Sequence, residues 1–400
     1  MHAPLIVGGG PAGSAAALRL AAAGLRPTLL ERSVGPEDKV CGDFLSGGSL
    51  ARLHGLGVDP AALGGHPIDR VRLFCGSRRA EAPLPFPACG LSRRQLDSAL
   101  LGAAERAGAV IRRGVRVRGV ATEAGTPMVR LAGETLAPPT LFLATGKHDV
   151  AGALRPDRAK GAIGLKLYLR LSPAQRAALA GAVELVLLPG GYAGLQLVEG
   201  DRAVLCVVRR RGAARLGMDA PETGGPGPDH DEPSRGRAEG WAATEPTGTG
   251  GVLSADALLG ALAAADPHLA QRLHGTCPET ARPLAIAGVP YGHLHRPAPT
   301  GAAGVFRLGD QGCVIPSLTG EGIALALGSG RLAAEAWLAG EDGAAYHRRL
   351  AGAVAGPLRR AGGLHRLCLG PAQAWAVAVT SLLPGLLPLA ARWTRAPRLG

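Results

Sequence analysis

A turn near the N-terminus limits this chain more than any other feature. Leu5-Ile6-Val7 runs straight into Gly8-Gly9-Gly10-Pro11-Ala12-Gly13. An alanine-rich stretch then continues to Gly24, and a second apolar run, Thr28-Leu29-Leu30, closes on Glu31 and Arg32. A short buried strand, a glycine turn and a helix open a βαβ unit. Gly8 permits the tight bend, Gly10 lets the backbone approach a pyrophosphate, and Gly13 lets the helix pack closely on the strand. The helix beginning at Pro11 and Ala12 turns its free N–H groups and positive dipole end toward phosphates. Glu31 is placed to accept hydrogen bonds from an adenosine ribose. A glycine turn serving only helix packing would leave that glutamate without a purpose, so the pattern predicts a nucleotide-binding α/β fold.

Almost 300 residues later, Val305-Phe306-Arg307-Leu308-Gly309-Asp310 reads as a strand ending in an acid. Gln311 to Pro316 follow, then Ser317-Leu318-Thr319-Gly320-Glu321-Gly322-Ile323 and a helical run from Ala324 to Leu338. A plain NAD-binding domain has no need of such a segment. It resembles the second flavin motif of the FAD-dependent monooxygenase and geranylgeranyl-reductase superfamily. The resemblance implies that Asp310 binds the ribityl chain and that Pro316 and the turn through Gly320, Gly322 and Ile323 lie against the flavin ring. A helix N-terminus there would stabilise negative charge on a reduced ring.

Three stretches between the two motifs extend the resemblance. Lys39 to Ser46, with Cys41 and Gly42, is similar to the Cys-Gly segment of the reductase-like members. Leu91 to Asp97 is similar to the family's Arg-x-x-x-Asp helix start, which gives Arg93 a place at the FAD phosphates or ribityl chain. Leu141 to Gly146 matches an Ala-Thr-Gly strand end common in these flavoproteins. Departures narrow the function. Flavin halogenases carry a Trp-x-Trp-x-Ile-Pro segment, and tryptophans here stand only at 241, 337, 375 and 393, so halogenation is set aside. Aromatic hydroxylases carry an Asp-Gly pair where this chain has Ala144 to Asp149. Prenyl reductases carry Tyr-x-Trp-x-Phe-Pro where it has Pro189 to Leu197, keeping only the tyrosine, Tyr192.

The expected architecture is therefore α/β: a Rossmann-like FAD-binding domain with an interleaved antiparallel β-sheet substrate domain and a C-terminal helical segment. The FAD-binding domain is expected over 1–160 and 280–340, with a hairpin around Asp69 to Phe86. The substrate domain is expected over 161–279, from strands at Gly164–Leu171, Val183–Leu188 and Ala203–Val208, with a turn at Gly190-Gly191. Glycine, proline and charge dominate 209–251, which predicts a mobile insertion. Two helices are expected between Leu367 and Ala391, where Pro371, Pro384 and Pro388 break a strongly apolar run. That part of 341–400 either caps the substrate cleft or lies in a membrane interface through 367–398, with Arg392, Arg395 and Arg398 at the headgroups.

Composition excludes several other classes. The net charge is +13, but the arginines are dispersed and aromatics make up 3% of the chain, which argues against nucleic acid as a partner. Seven cysteines without a CxxC spacing predict neither a metal site nor a disulfide framework, hence a reducing compartment. The absence of a signal-like N-terminus predicts a cytoplasmic protein.

The resemblance implies the chemistry. NADPH or NADH reduces FAD from a transient site, since no second GxGxxG is visible. Reduced FAD then meets oxygen to form a flavin C4a-hydroperoxide, which hydroxylates a lipophilic phenol, quinone precursor or polyketide. The alternative is an FAD-dependent ene reductase that saturates isoprenoid-type double bonds. Catalytic residues are not identified by the motifs. Tyr192 is a candidate for binding a phenol or a structural residue, and His148 for proton transfer or for holding its loop.

Overall fold

The computed structural model describes residues 2–156, 161–212, 253–297, 303–397 and 399. Most of the 209–251 insertion, and Arg398, lie outside the described residues.

In chain order the first βαβ unit is β1 (Leu5–Val7), α1 (Pro11–Ala21) and β2 (Thr28–Glu31). Next come β3 (Phe44–Leu45), α2 (Gly47–Gly55), and a long hairpin of β4 (His66–Cys75) and β5 (Arg78–Gly90). They are followed by α3 (Arg93–Arg106) and β6 (Val110–Arg113). A meander of β7 (Gly119–Glu123), β8 (Thr126–Arg130) and β9 (Thr135–Leu136) precedes β10 (Leu141–Leu143). The middle of the chain supplies β11 (Ala162–Arg170), α4 (Pro173–Leu179), β12 (Gly181–Leu188), β13 (Gly191–Leu197) and β14 (Ala203–Arg209). After it come α5 (Ala255–Ala265), α6 (Pro267–Leu273), β15 (Cys277–Pro278), β16 (Leu284–Val289) and β17 (Val305–Arg307). The chain closes with α7 (Gly322–Leu338), α8 (Gly343–Leu369), α9 (Gln373–Leu382) and α10 (Leu386–Trp393).

Two sheets organise the molecule. The first is five-stranded in the order β17-β10-β1-β2-β6, and every pairing in it is parallel. Its strands are apolar on both faces because both faces are covered. Ile6, Leu29, Phe142 and Phe306 pack with the helices α1, α3 and α7, whereas Leu5, Val7, Leu141 and Leu143 pack against Val120 and Val129 of the meander. Strand alternation thus divides two cores.

The second sheet has nine strands, ordered β15-β11-β14-β13-β12-β4-β5-β3, with β16 also on β11. It differs from expectation in three ways. A strand, β13, follows the Gly190-Gly191 turn where no strand was read. The hairpin β4–β5 and strand β3, expected within the FAD-binding part, belong to this sheet, as does β16. And the sheet is not purely antiparallel, because β12 pairs with β4 in parallel. The hairpin's long strands offer β12 a free edge, and pairing it satisfies backbone groups that would otherwise be exposed.

Register on this sheet sets the site. Leu167, Leu169, Ala193, Leu195, Leu205 and Val207 point to one face and pack with α5 and α6. The intervening residues Lys166, Tyr168, Tyr192 and Cys206 therefore share the opposite face. The end of the chain departs slightly from expectation: residues 367–369 finish the long helix α8, and the two short helices, α9 and α10, follow.

Candidate functional site

The adenosine end is built where β1 meets α1. Gly8 has φ of 108°, and a Cβ there would stand 2.4 Å from the Ala144 carbonyl oxygen. A Cβ on Gly13 would stand 1.9 Å from the Gly8 carbonyl oxygen. Both positions accept only glycine. Glu31 is buried at the end of β2, where its Oε2 accepts from the Gly9 amide at 2.6 Å and its Oε1 from the Ser33 amide at 3.0 Å. Burial opposes its charge, but Lys39 and the two amides outweigh that and hold its pKa below the usual carboxylate range. Arg32 turns away to Glu37, at 3.3 Å.

Arg93 opens α3 beside the glycine turn, with its Nη2 3.3 Å from where a Gly10 Cβ would be. Its fork is held by Asp97 through two 2.8 Å hydrogen bonds, the bidentate geometry that fixes a guanidinium plane. Burial works against the charge, and Asp97 more than restores it. The space over Gly42 is open, and the neighbouring Cys41 is half-buried.

The ring end follows β17. Gly309 has φ of 58°, and its amide donates to Ser329 Oγ of α7 at 2.8 Å. Asp310 Oδ2 lies 3.7 Å from Lys147 Nζ. Gln311 ties this turn to the loop after β10, donating to the carbonyls of Gly146 and His148 at 2.9 and 3.0 Å. His148 is itself exposed, and its carbonyl also accepts from Thr145. Pro316 leads into a 3-10 turn, Ser317–Thr319, and Gly320 closes it with φ of 68° packed on Phe44. Gly322 and Ile323 begin α7.

Packing brings the two ends together. α1 crosses α7 so closely that a Cβ on Gly330 would lie 2.1 Å from the Ala12 carbonyl oxygen. Residues 300 apart thereby share one groove.

The helix termini record what the groove is for. Among α1 to α8, six helices begin with a Ser or Asp side chain accepting from the first turn: Ser46, Ser92, Ser172, Ser254, Asp266 and Asp342. α1, with Gly10 at its cap, and α7, with Glu321, have no side-chain cap, and neither do the short C-terminal helices α9 and α10. The first-turn amides of α1 and α7 need an acceptor, and the sequence resemblance puts the FAD pyrophosphate and ring at these two. The open space above Gly42 and Gly322 suits the same ligand. The residues present therefore fit FAD.

The chain has the fold of the FAD-dependent monooxygenase and geranylgeranyl-reductase-like flavoproteins. The family model of an FAD binding domain matches residues 2–135. Menaquinone reductases of two Mycobacterium tuberculosis strains are 34% identical over 137 residues, 32% of this chain and 32% of theirs; the match thus spans about a third of those relatives' length. Among solved structures, the flavin-dependent brominase Bmp2 aligns at a TM-score of 0.72 and 16% identity, over 100% of this chain and 94% of that one. The myxobacterial chondrochloren halogenase CndH aligns at 0.66 and 18%, over 91% and 80%. A geranylgeranyl bacteriochlorophyll reductase-like protein of Thermoplasma acidophilum aligns at 0.64 and 17%, over 99% and 93%.

In this flavoprotein fold the face of the second sheet carries the candidate Tyr192 together with residues the motifs did not reveal. Tyr192 is buried on β13, its hydroxyl 2.5 Å from Ser317 Oγ. Tyr291 stands 2.5 Å from the same oxygen, so Ser317 links two phenols at the turn after Pro316. Burial pushes both phenols well above the usual tyrosine range. Tyr291, not Tyr192, lines a cavity of about 990 Å³ together with Pro290, His293, His365 and Leu369, and with Arg210, Arg211 and Arg366 around it. His365 meets Tyr291 edge-on at 5.3 Å, and burial with the nearby Arg210 lowers its pKa to about 4.

A second group joins the Cys41-Gly42 loop to the sheet. Asp43, with φ of 54°, is fully buried and accepts from Lys166 Nζ at 2.7 Å and Tyr168 OH at 2.6 Å. Burial raises its pKa even against the lysine. A signal for these residues existed in composition. The chain has four lysines and four tyrosines, and Lys39, Lys147, Lys166, Tyr168, Tyr192 and Tyr291 all fall at or beside this site. Among the described residues no cluster of His, Cys, Asp or Glu could hold a metal.

Proposed function

We propose that this chain is an NAD(P)H-dependent FAD monooxygenase that hydroxylates a lipophilic phenol, quinone precursor or polyketide in the cavity beside Tyr291. The observation that supports the flavin half of this reading is that α1 and α7, which pack directly on each other, both begin without a side-chain cap. Bound FAD supplies the redox chemistry, and the protein supplies binding, orientation and electrostatics. Glu31 and Arg93 would hold the adenosine and phosphate end, and Asp310 the ribityl chain. The start of α7 would favour negative charge on the reduced ring. Tyr192 and Tyr291 stay protonated at neutral pH because burial raises both, so they serve as hydrogen-bond donors and not as bases. Tyr291 and Ser317 can orient a substrate hydroxyl, while Leu369 and Pro290 give the cavity apolar wall and help exclude water.

The second reading is reduction of an isoprenoid-type double bond. The 34% identity to menaquinone reductases supports it, over about a third of each chain. Here the Tyr192–Ser317–Tyr291 chain of hydroxyls would deliver the proton.

One experiment separates them. The FAD-loaded protein is incubated with NADPH and candidate quinols or phenols under oxygen-18 gas and, in parallel, anaerobically. Hydroxylation predicts a labelled product and none without oxygen. The same unlabelled product under both conditions would overturn it in favour of reduction.

A further inference from the structure

The last two helices leave a large apolar surface uncovered. Trp375 is 66% exposed, Leu382 82%, Leu383 59%, Leu389 60% and Trp393 55%. The opposite side of the pair is anchored: α9 buries Val377, and Ser381 Oγ donates to the Arg79 carbonyl at 2.5 Å, which seats the pair on the β4–β5 hairpin. The inner face is therefore part of the fold, and the outer face is not. α9 and α10 are bent by 118° about their break at Leu383 to Gly385, and no single helix among the described residues is long and apolar enough to cross a membrane. The two together reach that length and hydropathy only across the bend, and seated on the hairpin they present their outer face along a surface.

Charge chooses among possible occupants. From Gly343 to Gly400 the sequence has eight arginines and no Asp or Glu. Arg349 pairs with Glu341 and Arg395 with Glu321. Arg348, Arg359, Arg366 and Arg392 are exposed and have no carboxylate partner among the described residues. Exposed tryptophan and leucine, with the unpaired Arg392 on α10 itself and a carboxylate-free basic segment behind them, match the interfacial zone of a bilayer, where indoles sit at headgroup level and arginine gains from anionic lipid. A second copy of this chain would instead bring the same positive charge against itself.

We propose that α9 and α10 form a docking surface for a membrane containing anionic lipid, with Trp375, Leu382, Leu383, Leu389 and Trp393 entering the interface. The end of α8, which supplies Leu369 to the cavity wall, leads directly into this surface. If the proposed substrate class is correct, the cavity thus lies near the phase in which such a compound dissolves. The docking itself does not depend on that reading, and its test needs no turnover.

The test is flotation of the FAD-loaded protein with phosphatidylglycerol–phosphatidylcholine vesicles and with pure phosphatidylcholine vesicles. Flotation with the anionic vesicles only, weakened by added salt, is expected. Leu382→Ser/Leu383→Ser should reduce it about tenfold while leaving the flavin spectrum unchanged. Should that variant fail to fold, brominated lipid in anionic vesicles is expected to quench the tryptophan emission of the unaltered protein. No flotation, equal binding to neutral vesicles, or absence of quenching would overturn the proposal. So would light scattering that shows a dimer which the double variant dissolves while vesicle binding is absent.

Discussion

A single methyl group tests the groove. At Gly330 an added Cβ would stand 2.1 Å from the Ala12 carbonyl oxygen, so Gly330→Ala must push α7 away from α1. We expect at least a tenfold loss of FAD affinity, read by titration of flavin fluorescence, with the second sheet's strands intact by circular dichroism. Gly8, Gly13 and Glu31 were legible in the sequence because the turn that needs them is closed within one βαβ unit, although what crowds Gly8 in the fold is the distant Ala144. Glu184 was not. It lies buried in β12 and accepts from Arg72 at 3.1 Å, His268 at 2.8 Å and Arg272 at 2.6 Å. Burial opposes its charge, yet His268 and Arg272 bring its pKa down to about 2. Because the folded value is depressed, the carboxylate stabilises the fold above its unfolded pKa of about 4.3, and that contribution is lost as pH falls toward about 2. Glu184→Gln should therefore cost about 3 kcal/mol at neutral pH, and the gap to the unaltered protein should begin to close below about pH 4 in urea titrations. The same three partners are 84 to 112 residues away in sequence, which is why no spacing pointed to them.

At the scale of elements, the return segment after β16 is the region most sensitive to acid. It pairs with the segment after β17 through His293, whose carbonyl accepts from the Val314 amide at 2.9 Å, and it sets His295 edge-on against His347 of α8 at 4.7 Å. His347 Nε2 accepts from the Arg307 amide at 3.1 Å, so the neutral ring ties α8 to β17. Burial and Arg307 lower the His295 pKa to about 3, and burial lowers that of His347 to about 4. An unfolded histidine takes its proton near 6.5, so stability from these rings is full above that pH and drains away between about 6.5 and 4. Chemical denaturation is expected to show a loss of about 1 kcal/mol from His347 alone between pH 6.5 and 5.5. His347→Gln, which can still accept from the Arg307 amide, should flatten that slope. Elements with a strong local pattern, such as β1, α1, β10 and α7, were readable within a residue or two. β13 was missed because Gly191-Tyr192-Ala193-Gly194 has too little β-propensity to declare a strand, and its neighbours β12 and β14 supply the pairing that makes it one.

For the whole molecule, the binding groove joins the start of the chain to residues beyond 300. FAD should then act as a clamp between them. At a free concentration a hundred times its dissociation constant, the cofactor is expected to add about 3 kcal/mol of stability, measured as the difference in unfolding between apo and holo protein. No gain would mean that the groove does not close on it. The overall class was legible because two motifs on distant strands demanded one ligand. The partition into sheets was not, because the parallel pairing of β4 with β12 joins residues more than 100 apart without any sequence mark.

The parallel sheet also has a history on the ribosome. β10 is complete at Leu143, but the neighbour that covers its outer edge, β17, begins only at Val305. Translation at ~5–20 residues per second leaves that edge unpaired for roughly 10–30 s. Throughout that interval the nascent polypeptide carries a raw hydrogen-bonding rim and a bed of exposed phenylalanine and leucine. A chaperone bound during synthesis, released once the final third emerges, is what such a gap calls for, and ribosome-profiling of chaperone-bound nascent chains should find occupancy rising after codon 143 and falling after codon 307.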